Sequence, residues 1–370
     1  MIENYLEDQT ATGVWGLHRA PARYPHRLVI VAAVLATAAA CVAAAVTVIV
    51  THRGAAVRPV ATLADSGFSI GGVSSVAFSP SGTMLATADN DGSTSLWTAA
   101  APRRVGTVTD PGSDGVSSVA FSHDGQIVAT GDADGQIYLW DVTTGAQIAS
   151  LSDPGSIAGA GISALAFSPR DTMLATADGN EGSTFIWNIA TKSLIATVSD
   201  PGSDIGGGVS SVAFSPDGAT MATGDGDGDA YLWNVFNWSQ LATLADPGSD
   251  GVYSVAFSPD GATLAVGDGN GHGYLWDVAT ARRTATLDNP GTSAGVVSSV
   301  AFNPAGTTVA GGDRDGSAYL WSITSRGALL LPSAMVTVPG GKAVNSVGFS
   351  SAGTLATGSS NGSTYLWRVG

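Results

Sequence analysis

An all-β propeller of seven blades, preceded by one membrane-spanning α-helix, is the fold class this sequence predicts. Three observations predict it. One short unit recurs seven times after residue 59, a tryptophan closes every copy at near-constant spacing, and an uncharged apolar run of helical length lies ahead of the repeats. Composition agrees: only 12% of residues are charged and Gly numbers 49, which suits short strands and tight turns better than charged amphipathic helices.

Taken in order, residues 1–27 read as a flexible tail and 28–50 as the membrane helix. Leu28 to Val50 carries no charge over 23 residues, and as a helix it would span roughly 34 Å, enough to cross a hydrocarbon core. A cleaved leader is the competing reading. The run exceeds the usual apolar core of about 7–15 residues, and Val46–Val50 offers no small-residue cleavage pattern. Arg19, Arg23 and Arg27 precede the run and Arg53 and Arg58 follow it, so the positive-inside rule puts the large domain outside the cytoplasm at the cell membrane, as a single-pass protein. Residues 51–58 form the linker. Cys41, inside the run, is the sole cysteine, which excludes disulfides within the chain and zinc sites built on several cysteines.

Residues 59–370 hold the repeats. Val73-Ser-Ser-Val-Ala-Phe-Ser-Pro80 recurs, with small changes, from Val116, Ile162, Val209, Val252, Val297 and Val344. Each copy continues through a Leu-Ala-Thr-like strand, an Asp-Gly or Asn-Gly turn and an aromatic-Leu-Trp strand. The closing tryptophans are Trp97, Trp140, Trp187, Trp233, Trp276, Trp321 and Trp367, spaced by 43, 47, 46, 43, 45 and 46 residues. Periods of this size, with several short strands per unit, mark propeller blades. Ser215-Pro-Asp-Gly218 is a turn in which Pro presets φ and Gly accepts a positive φ. The tryptophan supplies an apolar plate for the neighbouring blade.

Val-Ala-Phe-Ser-Pro-Asp-Gly, followed by Leu-Ala-Thr-Gly-Asp and Tyr-Leu-Trp-Asp, resembles the WD40 repeat, a membrane-anchored bacterial-type form of it here. Trp140-Asp141 and Trp276-Asp277 keep the full dipeptide. The family's Gly-His pair before the first strand is missing from all seven units. Asp-Pro-Gly-Ser replaces it, as at Asp110–Ser113, so the blades must be stabilised differently. The seventh unit ends without an outer strand, and Pro59-Val-Ala-Thr-Leu-Ala64 matches strands such as Gln240–Ala245. Residues 59–64 are therefore the expected latch strand of the last blade, which removes a free sheet edge.

In a WD40-like propeller, loops entering each first strand share one end, the top, with the second-to-third turns. Sorting the acids by loop places 21 of 27 there, against Arg314 and Lys342. The bottom carries six acids and seven cations. The set of top carboxylates therefore predicts a negative field for a cationic partner, although Asp in turns, mainly the one before Gly, accounts for about half of them. Asp114, Asp204, Asp227 and Asp250 are the candidate contacts. Tyr253, where most units have Ser, is a fifth. The short linker leads into the latch from the bottom, which turns the bottom toward the membrane.

No enzyme is expected. His123 and His272 fall on opposite ends without a Ser or Cys nucleophile. Asp225-Gly-Asp-Gly-Asp229 resembles the start of an EF-hand loop, but Ala230 and Phe236 stand where its glycine and bidentate Glu belong. No cofactor or metal site follows, and loosely held Ca²⁺ between top loops stays open. Phe236-Asn-Trp238 puts two aromatics in a bottom loop, with local packing as the default reading. A net charge of −15 argues against nucleic acid. The sequence thus predicts a membrane-tethered scaffold that takes a basic protein or peptide on its acidic face. The alternative is a propeller binding a small ligand, glycan or calcium without catalysis.

Overall fold

Five of the seven repeats form four-stranded antiparallel sheets with their strands in chain order. In blade 4 these are Val209–Phe214 at the centre, then Thr220–Asp225, Asp229–Asn234 and, outermost, Gln240–Ala245. Seven sheets in all make a propeller. The structure is a computed structural model that describes residues 57–64, 72–113, 115–154, 161–201, 207–245, 248–290, 295–323 and 329–369. The predicted membrane helix, 28–50, lies outside the described residues. Among those described, no helix is long and apolar enough to cross a membrane.

Local chemistry sets the turns. At the bottom of blade 4, Ser215 Oγ accepts the Thr220 N–H at 2.9 Å and donates to Asp217 Oδ1 at 2.6 Å. Asp217 Oδ1 also accepts the Ala219 N–H at 2.9 Å, and Gly218 takes φ +72°. The side chains thus satisfy the backbone of the turn before the next strand begins.

Packing runs between blades. Second and third strands are buried over nearly their whole length, whereas each outer strand buries few residues, as Leu244 does in blade 4. Ile186 and Val198 of blade 3 share one apolar cluster with Val209, Met221 and Trp233 of blade 4, and equivalent clusters follow around the ring. A tryptophan buries about 150–250 Å², which contributes on the order of 4 kcal/mol. Its indole N–H is also paired. Trp97, Trp140, Trp187, Trp233 and Trp367 donate to Thr87, Thr130, Thr176, Thr223 and Thr357 of the second strand at 2.9–3.0 Å. Gly311 stands at that position in blade 6, and Trp321 donates to the Asp288 carbonyl at 2.9 Å instead.

Ala61–Ala64 is the outermost strand of the last blade, antiparallel to Ser363–Arg368, with Leu63 opposite Thr364 and buried. The ring is thereby closed by strands from both ends of the domain. One sheet departs from four strands. The chain leaving blade 6 is longer than elsewhere, and Leu329–Leu330 pairs in parallel with Arg282–Leu287, the outer strand of blade 5, before Ala334–Thr337 completes blade 6.

Candidate interaction site

The first strand of every blade carries a bulge, and it fixes the chemistry of the top. In blade 1 Val73 pairs with Asp89 and Ser75 with Ala88, which leaves Ser74 as the extra residue. Ser74 Oγ donates to the Ala88 carbonyl and across to Val116 of the next blade. Ser117, Ser163 and Ser210 reach Ile162, Val209 and Val252 in the same way. Ser298 reaches Val344 at 2.6 Å, and Asn345 Nδ2 reaches Val73 at 2.9 Å. Six of seven junctions are therefore stitched by the bulged residue. In blade 5 that residue is Tyr253, between Val252 opposite Asp268 and Ser254 opposite Gly267. A bulge re-aims its side chain, and here the ring meets the Arg314 guanidinium of blade 6 and lines a depression shared with blade 4.

Tyr253 lines a depression of about 330 Å³ with Asp227, Asp250, Gly207, Gly208 and Gly226. Three of the residues picked from sequence thus share one concave site; Asp227 and Asp250 are exposed in it. Asp114 and Asp204 lie outside the described residues. The walls are backbone by necessity. A side chain at Gly208 would collide with the Gly179 carbonyl, and a Cβ at Gly269 would stand 3.0 Å from the Tyr253 ring. From blade 6, the Arg314 guanidinium sits 5.3 Å from the centre of the Tyr253 ring, a cation–π distance.

The top carboxylates divide into a buried set and an exposed set. Asp89, Asp110, Asp132, Asp153, Asp178, Asp200, Asp225, Asp268 and Asp313 are buried, nine of the 17 top acids among the described residues. Turn-forming aspartates stand mainly before Gly: Asp91, Asp178, Asp225, Asp268 and Asp315 each accept a backbone N–H of their turn. A structural aspartate also ends the second strand: Asp132, Asp225 and Asp313 accept the backbone N–H two residues on at 2.9, 2.8 and 2.6 Å. Their followers Asp134, Asp227 and Asp315 are exposed.

The entering-loop aspartates replace the missing histidine. Asp110 accepts from Thr130 Oγ1 at 2.8 Å and Asp200 from Thr223 Oγ1 at 3.0 Å, each threonine in turn holding the blade tryptophan. Burial pushes both carboxyls up to about 7, against the threonine bond that lowers them, and Asp132 or Asp225 adds repulsion. Burial likewise raises Asp132, Asp225 and Asp313. Sequence reasoning missed this network because the Asp-Pro-Gly-Ser motif reads as a surface turn. The clue was the Thr ten or eleven residues before five of the tryptophans.

The remaining candidates separate. His123 Nδ1 lies 3.6 Å from Asp171 at the bottom and His272 Nδ1 3.9 Å from Asp288 at the top. Asp225 Oδ1 accepts both the Asp227 and Asp229 N–H groups, and among the described residues no three His, Cys, Asp or Glu side chains converge as metal ligands. At the bottom, Trp238 packs against the blade 3–4 core, while Phe236 is 83% exposed.

The family model described as IFT122 first beta-propeller matches residues 72–368. The chain belongs to that family. It is a WD40-type propeller, a fold suited to protein interaction. No curated protein matches the chain.

Proposed function

We propose that this IFT122-type propeller is a non-catalytic platform, tethered to a membrane through residues 28–50, that binds a basic protein or peptide segment at the top of blades 4 and 5. The single observation that carries this reading is Tyr253. It forgoes the inter-blade bond made at the other six junctions and offers its ring beside Asp227 and Asp250, with a guanidinium already stacked on it. An aromatic face next to two exposed carboxylates favours a cationic side chain, by roughly 1 kcal/mol for the ring contact and through longer-range attraction that salt screens.

An arginine-rich peptide titrated against the full chain in detergent tests this. Binding that weakens with salt, and weakens further with Asp227→Asn plus Asp250→Asn, supports the reading. Identical affinity in the double variant contradicts it. Stabilisation by calcium but not magnesium, with no peptide binding, would favour the ligand-binding alternative.

A further inference from the structure

Among the described residues most large apolar side chains that remain exposed lie at one end of this domain, with Leu329 and Leu331, beside the upper part of the blade 5 outer strand, as exceptions. Each outer strand starts at the bottom, where its first residues pair near the blade tryptophan: Arg104 opposite Trp97, Gln147 opposite Trp140, Leu194 opposite Trp187 and Gln240 opposite Trp233. The residue that follows is Val105, Ile148, Ile195 or Leu241, all exposed, and Val60 holds the matching place beside the last blade. Nearer the top, the exposed positions of the same strands are Thr107, Ser150, Thr197 and Thr243. Strand propensity alone would not sort apolar from polar along the strand.

Phe236 is the extreme case. Asn234 Oδ1 holds its bottom turn by accepting the N–H groups of Phe236 and Asn237 at 2.9 and 3.3 Å, so the ring is presented on a fixed loop. With Pro169, Arg170, Met173, Ile195 and Trp238 it lines a groove of about 350 Å³. Exposed Arg58, Arg103, Arg170, Arg282 and Arg368 lie around the same end, whereas the exposed acids Asp124, Asp217 and Asp260 sit in the inner turns between first and second strands. Val57, where the described chain begins, is also at this end, beside Gly353 and Arg368. Seven residues before it in sequence ends the apolar run 28–50.

We infer that the bottom rim at blades 3 and 4, with Phe236 as its inserted side chain, is a second membrane contact that docks on the anionic interface of a bilayer. Aromatic and aliphatic side chains interleaved with arginines match that interface, where rings settle at headgroup depth and cations meet anionic lipid. Contact there turns the acidic top toward the aqueous phase. The inference rests on the tethered reading above.

The test uses the full chain with Cys41→Ser, reconstituted into vesicles containing phosphatidylserine, with a nitroxide placed through Phe236→Cys or, as a top-face reference, Asp91→Cys. Accessibility to oxygen and to a water-soluble nickel chelate is read by electron paramagnetic resonance. The expected result is severalfold lower nickel access and higher oxygen access at 236 than at 91. Equal nickel access at both positions, in protein that resists carbonate extraction, overturns the docking and leaves the tether standing. Protein that carbonate strips from the vesicles overturns the tether, and the docking with it.

Discussion

The two ends of the propeller use the same residue for opposite purposes. At the bottom, aspartates such as Asp124, Asp217 and Asp260 sit in solvent, each taking a serine hydroxyl and a backbone N–H, and those bonds hold their carboxyls below the usual range. At the top, Asp110 and Asp200 are buried against Thr130 and Thr223, and burial outweighs the single bond to raise them to about 7. Number of donors against loss of water decides the sign. An acidic residue in a propeller loop is therefore not by itself a surface charge, and the top field comes from the exposed followers such as Asp134, Asp227 and Asp315.

The largest effect that would break this comparison comes from the threonine between carboxyl and indole. Thr130→Val deprives Trp140 of its acceptor and Asp110 of its donor in a buried site. It is expected to cost about 2–4 kcal/mol in urea denaturation at pH 6; no change would mean the network contributes nothing. Next in size is the dependence on pH. In the unfolded chain Asp110 and Asp200 ionise near 3.8, in the folded chain near 7. The folded state thus binds more protons between those values, and this contribution falls as pH rises toward 7 and is flat above it. Asp110→Asn with Asp200→Asn keeps an acceptor for each threonine, and is expected to stabilise the domain by roughly 1–3 kcal/mol at pH 8 and to flatten the profile. Melting curves from pH 5 to 8 check it. The bottom acids run the other way: their contribution is present above about pH 4 and lost as pH falls further. Asp260→Ala should therefore lower the melting temperature slightly at pH 7 and less at pH 3.5, the smallest of these shifts, since solvent screens an exposed group.

The contrast also explains what sequence could show. Seven copies of a Val-Ala-Phe-Ser-like motif and seven spaced tryptophans specify the blades directly, because strand alternation and turn chemistry are local. Burial of Asp110 or Asp132 comes with partners about twenty residues away, Thr130 and Ser113, and no local pattern reports it. The same holds for Tyr253: its departure from Ser was visible, but that Ser is the bulged residue that bridges blades is a matter of register. The parallel strand Leu329–Leu330 was hidden for a further reason, since it belongs to the sheet of a preceding blade.

Tyr253→Ser tests the central claim most directly, with melting temperature and affinity for an arginine-rich peptide measured on the same sample. Serine at the bulge restores the donor that bridges the other junctions, so stability is expected to rise by about 0.5–1.5 kcal/mol. Peptide affinity falls, by roughly fivefold for a lost ring contact of about 1 kcal/mol. Lower stability with unchanged affinity would show that the tyrosine is a packing residue and that the depression beside Asp227 and Asp250 is not the binding site.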